Sequence, residues 1–476
     1  MASAEFDVAV VGSGANGLTV AAYLARAGAR VVMLERRFER GGRLATDDYS
    51  TPFQYNVAQF ELPLADELPP YRDLGLEEQG IRFVRPGIAF AAATRPGAEP
   101  LVVGRGGRGL GDEIERMFRA ASAAIAPLLY RPPLGADELE PRLAEGEHGP
   151  CLALANGTAR ELTERVSDPR AAIVLRYACG LTGLLDGDAP LGPSGAFRVA
   201  RLFSPAIVVG GSKNLANGIA RVAAAAGARG RLSSEVTGIE RAADAFSLRT
   251  IDGRETTARA VVLTIDPRPG SPGTGPFTAH FGIKGDPPAP AAAAEDALIR
   301  IFGFESVADV DGHFAPASGG ELAERVAGHL TVVSAHDPLQ ASPGPFGPLH
   351  TLRMQTQVPR ELPRAGWDRV RTGHRARCWE ALVEHFPDLA GATLLFQFCD
   401  SPLDIERRFE TTHALHPSGS GDETPIPGLR LAGRGVHPGV PGSLAGGYNA
   451  AAPVAADLGL ARWWPELPPG DPRPGP

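Results

Sequence analysis

The chain has 476 residues, of which 43% are hydrophobic and 21% charged, enough to bury a large core in two domains. A net charge of −8 leaves no basic footprint for nucleic acid. Cys151, Cys179, Cys378 and Cys399 are isolated and lack C-x-x-C spacing, so they read as buried thiols in a reducing compartment, not as a metal site or redox dithiol, and no run of 18 apolar residues offers to span a bilayer.

Met1 to Phe6 is too short and too polar for a signal peptide, so a cytoplasmic protein is expected. The apolar strand Asp7-Val-Ala-Val-Val then enters the turn Gly12-Ser-Gly14-Ala15-Asn16-Gly17, which opens a helix. A second strand, Val31 to Leu34, ends in Glu35, 23 positions after Gly12. This is a βαβ unit built for a dinucleotide: the glycines let the backbone approach a pyrophosphate at the helix N-terminus, and Glu35 can accept the ribose hydroxyls. The turn Arg40-Gly41-Gly42-Arg43 follows. Asp47 and Asp48, being neighbours in sequence, point apart and read as solvated turn residues.

A second glycine match, Gly104-Arg-Gly106-Gly-Arg-Gly109, has a strand of only Leu101-Val-Val after Pro100 and no acid at the required distance. It reads as a flexible turn ahead of a helix from Asp112. Further on, Leu215, Ile219, Val222 and Ala226 recur at helical spacing, so a helix begins near Asn214. Short strands follow at 230–234, 235–240, 246–250 and 260–265, with Asp252-Gly253 as a hairpin turn. Residues 267–294 are rich in Pro, Gly and Ala and are expected to cross between domains. Near the C-terminus, Gly428-Leu-Arg-Leu-Ala-Gly433-Arg434-Gly435-Val-His437-Pro-Gly439-Val-Pro-Gly442-Ser443 is another strand and glycine turn. Ser443 is expected to cap a helix running to about Leu458, whose positive end points into the same site as the first unit. Two glycine-lined helix N-termini at opposite ends of one chain suit FAD better than NAD.

The segment from Gly12 through Glu35 and Arg37 to Gly41-Gly42-Arg43 resembles the flavin-binding signature of amine oxidases and phytoene desaturases. The stretch from Leu431 to Ala450 resembles the closing motif of bacterial phytoene desaturase and carotenoid ketolase relatives, and Gly210-Gly211, Glu235-Val236, Thr264-Ile-Asp266-Pro267, Trp367 to Phe386 and Pro402 to Arg407 keep that family's order. The resemblance implies an α/β fold: a Rossmann-like FAD-binding domain of glutathione-reductase type (1–75, 200–275 and 425–460), interleaved with an α+β substrate-binding domain (76–199 and 276–424), and a tail at 461–476. It further implies that Gly12, Gly14, Ala15, Asn16 and Gly17 meet the pyrophosphate and Glu35 the adenosine ribose. Arg36, Arg37, Gly42 and Arg43 would surround ribose and phosphate, the alternative for the arginines being a solvated helix end. Val236 would pair its backbone with the adenine, and Gly433, Arg434, Gly442 and Ser443 would hold the ribityl chain and flavin ring. Where relatives show Gly-Gly-Asn-Ile-Phe-His-Gly and a long loop, this chain has Thr411-Thr-His413-Ala-Leu-His416-Pro and a short one.

The catalytic candidates are His437 and Arg434 beside the ring, with His413 and His416 on the neighbouring loop. For His437 the competing reading is a turn-stabilising hydrogen bond, and for His413 and His416 it is a structural or surface position; His374 reads as a surface histidine. The expected reaction is desaturation of a hydrophobic, isoprenoid or polyene-like small molecule, with oxygen or a quinone as electron acceptor. An amine oxidase, a flavin-assisted isomerase or saturase, and a non-catalytic FAD-binding scaffold stay open. Gly41-Gly42-Arg43 favours the amine oxidase and His437-Pro438 argues against it. Trp463-Trp464 either packs the last helix or gives peripheral membrane contact. The oligomeric state is left open.

Overall fold

The computed structural model describes residues 4–62, 64–144, 146–185, 189–242, 244–265, 273–288, 294–315, 321–341, 347–362, 366–409, 426–433 and 435–465. The chain opens with β1 (Phe6–Val11), α1 (Ala15–Arg26) and β2 (Val31–Leu34), then the hairpin β3 (Thr46–Asp47) and β4 (Tyr55–Asn56). Strands β5 (Ile88–Ala92) and β6 (Leu101–Gly104) lead into helices α2 (Asp112–Ile125), α3 (Pro169–Leu181), α4 (Gly192–Leu202) and α5 (Lys213–Ala225). Next come β7 (Arg229–Arg231), β8 (Val236–Ala242), β9 (Ala245–Thr250), β10 (Glu255–Leu263), β11 (Thr274–Lys284), β12 (Ala297–Phe302), β13 (Gly328–Thr331) and β14 (Leu349–Pro359). The chain continues with α6 (Trp367–His385), β15 (Thr393–Asp400), α7 (Pro402–Phe409), β16 (Leu429–Leu431) and α8 (Ala445–Asp457).

Two seven-stranded sheets organise these elements, so the fold is α/β. The first runs β8-β9-β10-β1-β2-β7, with β16 also on β10. Its centre is parallel, with Val8 opposite Val31 on one side and Ala260 on the other. Both faces of this centre are buried, Val8 and Val10 against α1 and Ala9 and Val11 in a second cluster of strand residues such as Phe246 and Leu248, which is why Val8–Val11 and β2 are continuous apolar runs and not alternating ones. The strand β16 adds residues from the far end of the chain, with Leu431 opposite Leu263. The hairpin between β9 and β10 forms as expected: Thr250 N–H donates to Arg254 O at 3.0 Å and Gly253 takes φ +80°.

The second sheet runs β15-β11-β14-β13-β12-β5-β6. Its core contains an 11-residue strand, β11, where the composition of 267–294 pointed to a crossing. The chain does pass from the first sheet to the second between Leu263 and Thr274, but the passage is shorter than the composition suggested, because Phe277, Ala279, Phe281 and Ile283 alternate with period two and pack beneath α6. On α6, Trp367, His374, Cys378, Ala381 and Leu382 form the buried stripe. His374 is therefore a core residue, not a surface one: its ring meets Phe277 edge-on at 4.7 Å. Burial pushes it down to about 4.

The Gly104–Gly109 segment is a turn, as expected, and α2 begins at Asp112. All four cysteines are free. Among the described residues no helix is long and apolar enough to cross a membrane. Trp463 stacks on Tyr23 of α1 at 5.3 Å and donates its indole N–H to Tyr23 O, while Trp464 is buried against the same ring.

Candidate cofactor and active site

The first half of the site is the turn between β1 and α1. Gly12 needs φ +98°, and a Cβ on Gly17 would lie 2.1 Å from Gly12 O, so these two glycines build the turn itself. Gly14 differs: a Cβ there would meet only Gly42 Cα, at 4.0 Å, so its missing side chain leaves a cradle open. Behind the cradle, α1 has no side-chain cap and no acid in its first turn. Its first intrahelical bond is Leu18 N–H to Gly14 O, so the N–H groups of Ala15, Asn16 and Gly17 head the helix without intrahelical acceptors. The Gly41-Gly42 turn closes on this loop, with Gly41 N–H donating to Ser13 O at 2.9 Å.

Glu35 follows β2 directly, beside the loop. One carboxylate oxygen accepts from Ser13 N–H (2.8 Å) and the Ser13 hydroxyl (3.0 Å), and the other accepts from Arg37 N–H (2.9 Å). Three donors on a two-oxygen acceptor fix its orientation and leave lone-pair capacity for ribose hydroxyls. The segment leading to Val236 runs alongside, because Ser234 N–H donates to Glu35 O at 2.7 Å.

The arginines are distributed differently from one another. Arg37 pairs with Glu39 (2.9 Å), Arg36 donates to the carbonyls of Arg407 and Arg408 at the end of α7, and Arg43 stands 5.5 Å over the Phe409 ring. So α7 closes over the 36–43 turn. Its Arg408 grips Asp47 through two bonds of 2.7 Å and reaches Glu39 at 2.9 Å. The solvated-turn reading of Asp47 is thereby corrected: burial alone would raise its carboxyl, but the Arg408 guanidinium holds it below the ordinary value. Asp48 does serve a turn, accepting from Ser50 N–H.

The second half comes from the far end of the chain. Asn16 donates its amide to Ala432 O (2.8 Å), and a Cβ on Gly447 would lie 2.2 Å from Asn16 O, so the starts of α1 and α8 touch. Helix α8 begins one residue later than a Ser443 cap implies: Leu444 occupies that position at φ +60°, and Ser443 supports it by accepting from Ala445 N–H at 3.3 Å. Gly433 packs on Ile265 O, and Gly442 (φ +72°) faces the Gln59 amide. His437 is half-buried with its Nε2 enclosed and without a hydrogen-bond partner among the described residues. Arg434, His413 and His416 lie outside the described residues.

The β4–Leu62 segment carries the site to the second sheet. Gln59 N–H donates to Arg43 O, and Arg353 of β14 donates to Ala58 O and stands 5.1 Å from the Phe60 ring. The face of the sheet turned this way is polar yet buried. Phe398, His280, Arg353 and Thr331 align across four strands, and Asp400, Thr278, Gln355 and His329 align beside them. Sequence reasoning missed this group because its members, from Thr278 to Asp400, are spread over four separate strands. The available signal was the alternation Leu352-Arg-Met-Gln-Thr-Gln-Val358.

Burial decides the charge states here. Burial raises the Glu61 carboxyl, with Arg353 opposing only in part. Burial also lowers His280 against the pull of Asp400, pushes His313 down to about 4, and, aided by Arg353, pushes His329 down to about 3. His280 and Asp400 approach to 3.3 Å without hydrogen-bond alignment, whereas His329 meets the Tyr177 hydroxyl at 2.8 Å.

Two helix N-termini meeting at a glycine cradle, with a fixed acid beside them, define a dinucleotide-binding flavoprotein. The open space at Gly14, the uncapped start of α1 and the orphaned His437 nitrogen all fit FAD. The chain belongs to the FAD dependent oxidoreductase family, whose model matches residues 7–401. It is 27% identical to a limonene dehydrogenase subunit of Castellaniella defragrans over 97% of this chain and 96% of that one. In fold it is similar to an oxidoreductase from Methanosarcina mazei (TM-score 0.58, 18% identity, 93% and 99% covered). Cyclohexylamine oxidase from Brevibacterium oxydans is similar too (TM-score 0.54, 16% identity, 95% and 99% covered). The protein is thus an FAD-dependent oxidoreductase.

Proposed function

We propose that this enzyme dehydrogenates a hydrophobic small molecule of isoprenoid or related natural-product type, and that the electrons leave to oxygen or a quinone. Bound FAD supplies the hydride acceptor. Gly12 to Gly17, Glu35, Val236 and Gly433 to Ser443 bind and orient it, while the 58–62 segment and the inner face of the second sheet position the substrate and exclude water.

The observation that carries this reading is the make-up of that inner face: the Glu61 carboxyl pushed toward its neutral form, His280 and His329 lowered by burial, and the Arg353 cation enclosed on the same face as the buried Asp400 carboxyl. Such a surface accepts an uncharged substrate. The full-length likeness to the Castellaniella limonene dehydrogenase protein supports the same substrate class.

Anaerobic addition of monoterpenes, longer polyenes and amines to the FAD-loaded protein tests the reading. Bleaching of oxidised flavin by a terpenoid, with a product two hydrogens lighter, is expected. Bleaching by amines alone would replace it with the amine-oxidase reading, and a flavin unmoved by every compound yet reducible by dithionite would overturn it.

A further inference from the structure

Away from the flavin cradle, a cavity of about 490 Å³ opens between α2, the end of α4 and the turn at 105–107. Its volume is that of a small-molecule site. Arg105, Arg108, Arg119 and Arg201 line it, against Glu67 and Glu115, an excess of two positive charges in a chain whose net charge is −8. Both glutamates are already engaged: Glu67 lies 3.4 Å from Arg201, and Glu115 accepts from Gly109 N–H. Arg108 and Arg119 have no ion pair among the described residues and are exposed at the mouth. Deeper in, the Arg201 side chain is only 9% exposed, and its Nε is buried with no partner.

Arg105 and Arg108 come from the Gly104–Gly109 motif that the nucleotide reading set aside, and Arg119 and Arg201 from α2 and α4. Positive φ at Gly106, Gly107 and Gly109 turns the chain tightly enough to put Arg105 and Arg108 on one wall. The turn is no phosphate-binding amide nest, since Arg105 N–H donates to Gly87 O and Gly106 N–H to Phe203 O. Its guanidiniums are the recognition groups. The apolar part of the lining is made by Phe118, Ala123, Ala126 and Ala200. A guanidinium matches carboxylate and phosphate oxygens in a planar fork. We propose that this cavity binds an amphipathic oxyanion, a carboxylate or phosphate ester on an apolar body, at a site separate from the flavin cradle. Burial and mutual repulsion lower Arg105, and burial lowers Arg201 despite Glu67 beside it, so an anion there relieves both.

Calorimetric titration of the FAD-loaded protein with decanoate, decyl phosphate, inorganic phosphate and decanol tests the proposal without any flavin turnover. Binding of decanoate or decyl phosphate, weaker binding of phosphate alone and none of decanol are expected. In the Arg105→Ala/Arg108→Ala protein the dissociation constant should rise at least tenfold, with FAD content and the flavin spectrum unchanged. Arg108→Ala alone, on an exposed turn residue, serves if the double variant fails to fold, and should weaken binding severalfold. No anion binding by the unaltered protein, equal binding of decanol, or unchanged affinity in the variants would overturn the proposal. None of these outcomes touches the substrate reading, which flavin bleaching tests.

Discussion

Gly14 and Gly17 sit three residues apart in one turn, yet they have opposite jobs, and the difference can be measured. At Gly17 a methyl group lands 2.1 Å from a backbone oxygen, so Gly17→Ala has to move the β1–α1 turn, at a cost of about 1–3 kcal/mol to the apoprotein. At Gly14 the methyl meets nothing closer than 4.0 Å, so Gly14→Ala should leave the apoprotein melting temperature unchanged while filling the FAD cradle. Thermal melts with and without FAD separate the two, and a Gly14→Ala protein with full flavin content would refute the cradle. Glu35→Gln is the companion case. It loses charge-assisted bonds to Ser13 and Arg37 worth about 1.5–3 kcal/mol, and the weakening of FAD binding seen by fluorescence titration should be about tenfold or more.

Among the elements, α7 shows a contact that local sequence does not reveal. Its Arg408 spans 361 residues to reach Asp47, and both side chains are nearly enclosed. Asp47→Asn leaves that guanidinium with Glu39 alone and should cost about 1–3 kcal/mol in urea denaturation. Because the Asp47 carboxyl is held below its ordinary value, its contribution is fully present above the usual carboxylate range and is lost as the pH falls through the lower folded value. The Asn variant should therefore lose less stability than the parent on acidification below about pH 4. The same distinction explains what could be read in advance. The β1–α1–β2 unit, α5 and the β9–β10 hairpin were legible because strand, turn glycine and cap lie within a few residues of one another. The polar face of the second sheet was not, since His280, Arg353, His329 and Asp400 meet only after β11, β13, β14 and β15 pair. His374 was misread for a related reason: its neighbours in sequence are polar, and only its spacing from Trp367 and Cys378 places it on the apolar stripe of α6.

For the molecule as a whole, buried neutral histidines set how stability responds to pH. Burial holds His313 and His374 at about 4 and His329 at about 3, against 6.5 when unfolded. Between these limits the unfolded chain binds protons that the folded chain refuses, so stability is full above about pH 6.5 and falls as the medium is acidified. At pH 5 each such group can cost on the order of 2 kcal/mol, which adds up to a large part of a domain's stability. His374 offers the clearest test because both of its ring nitrogens are buried without partners between Phe277 and Trp367. His374→Leu removes two unsatisfied polar atoms from an apolar core, so it should be neutral or stabilising at pH 7. Its larger effect should appear at lower pH, where urea midpoints measured at saturating FAD should decline by roughly one proton's slope less than in the parent. Equal slopes in the two proteins would mean that His374 titrates freely in the folded state, and the buried-stripe account of α6 would then be wrong.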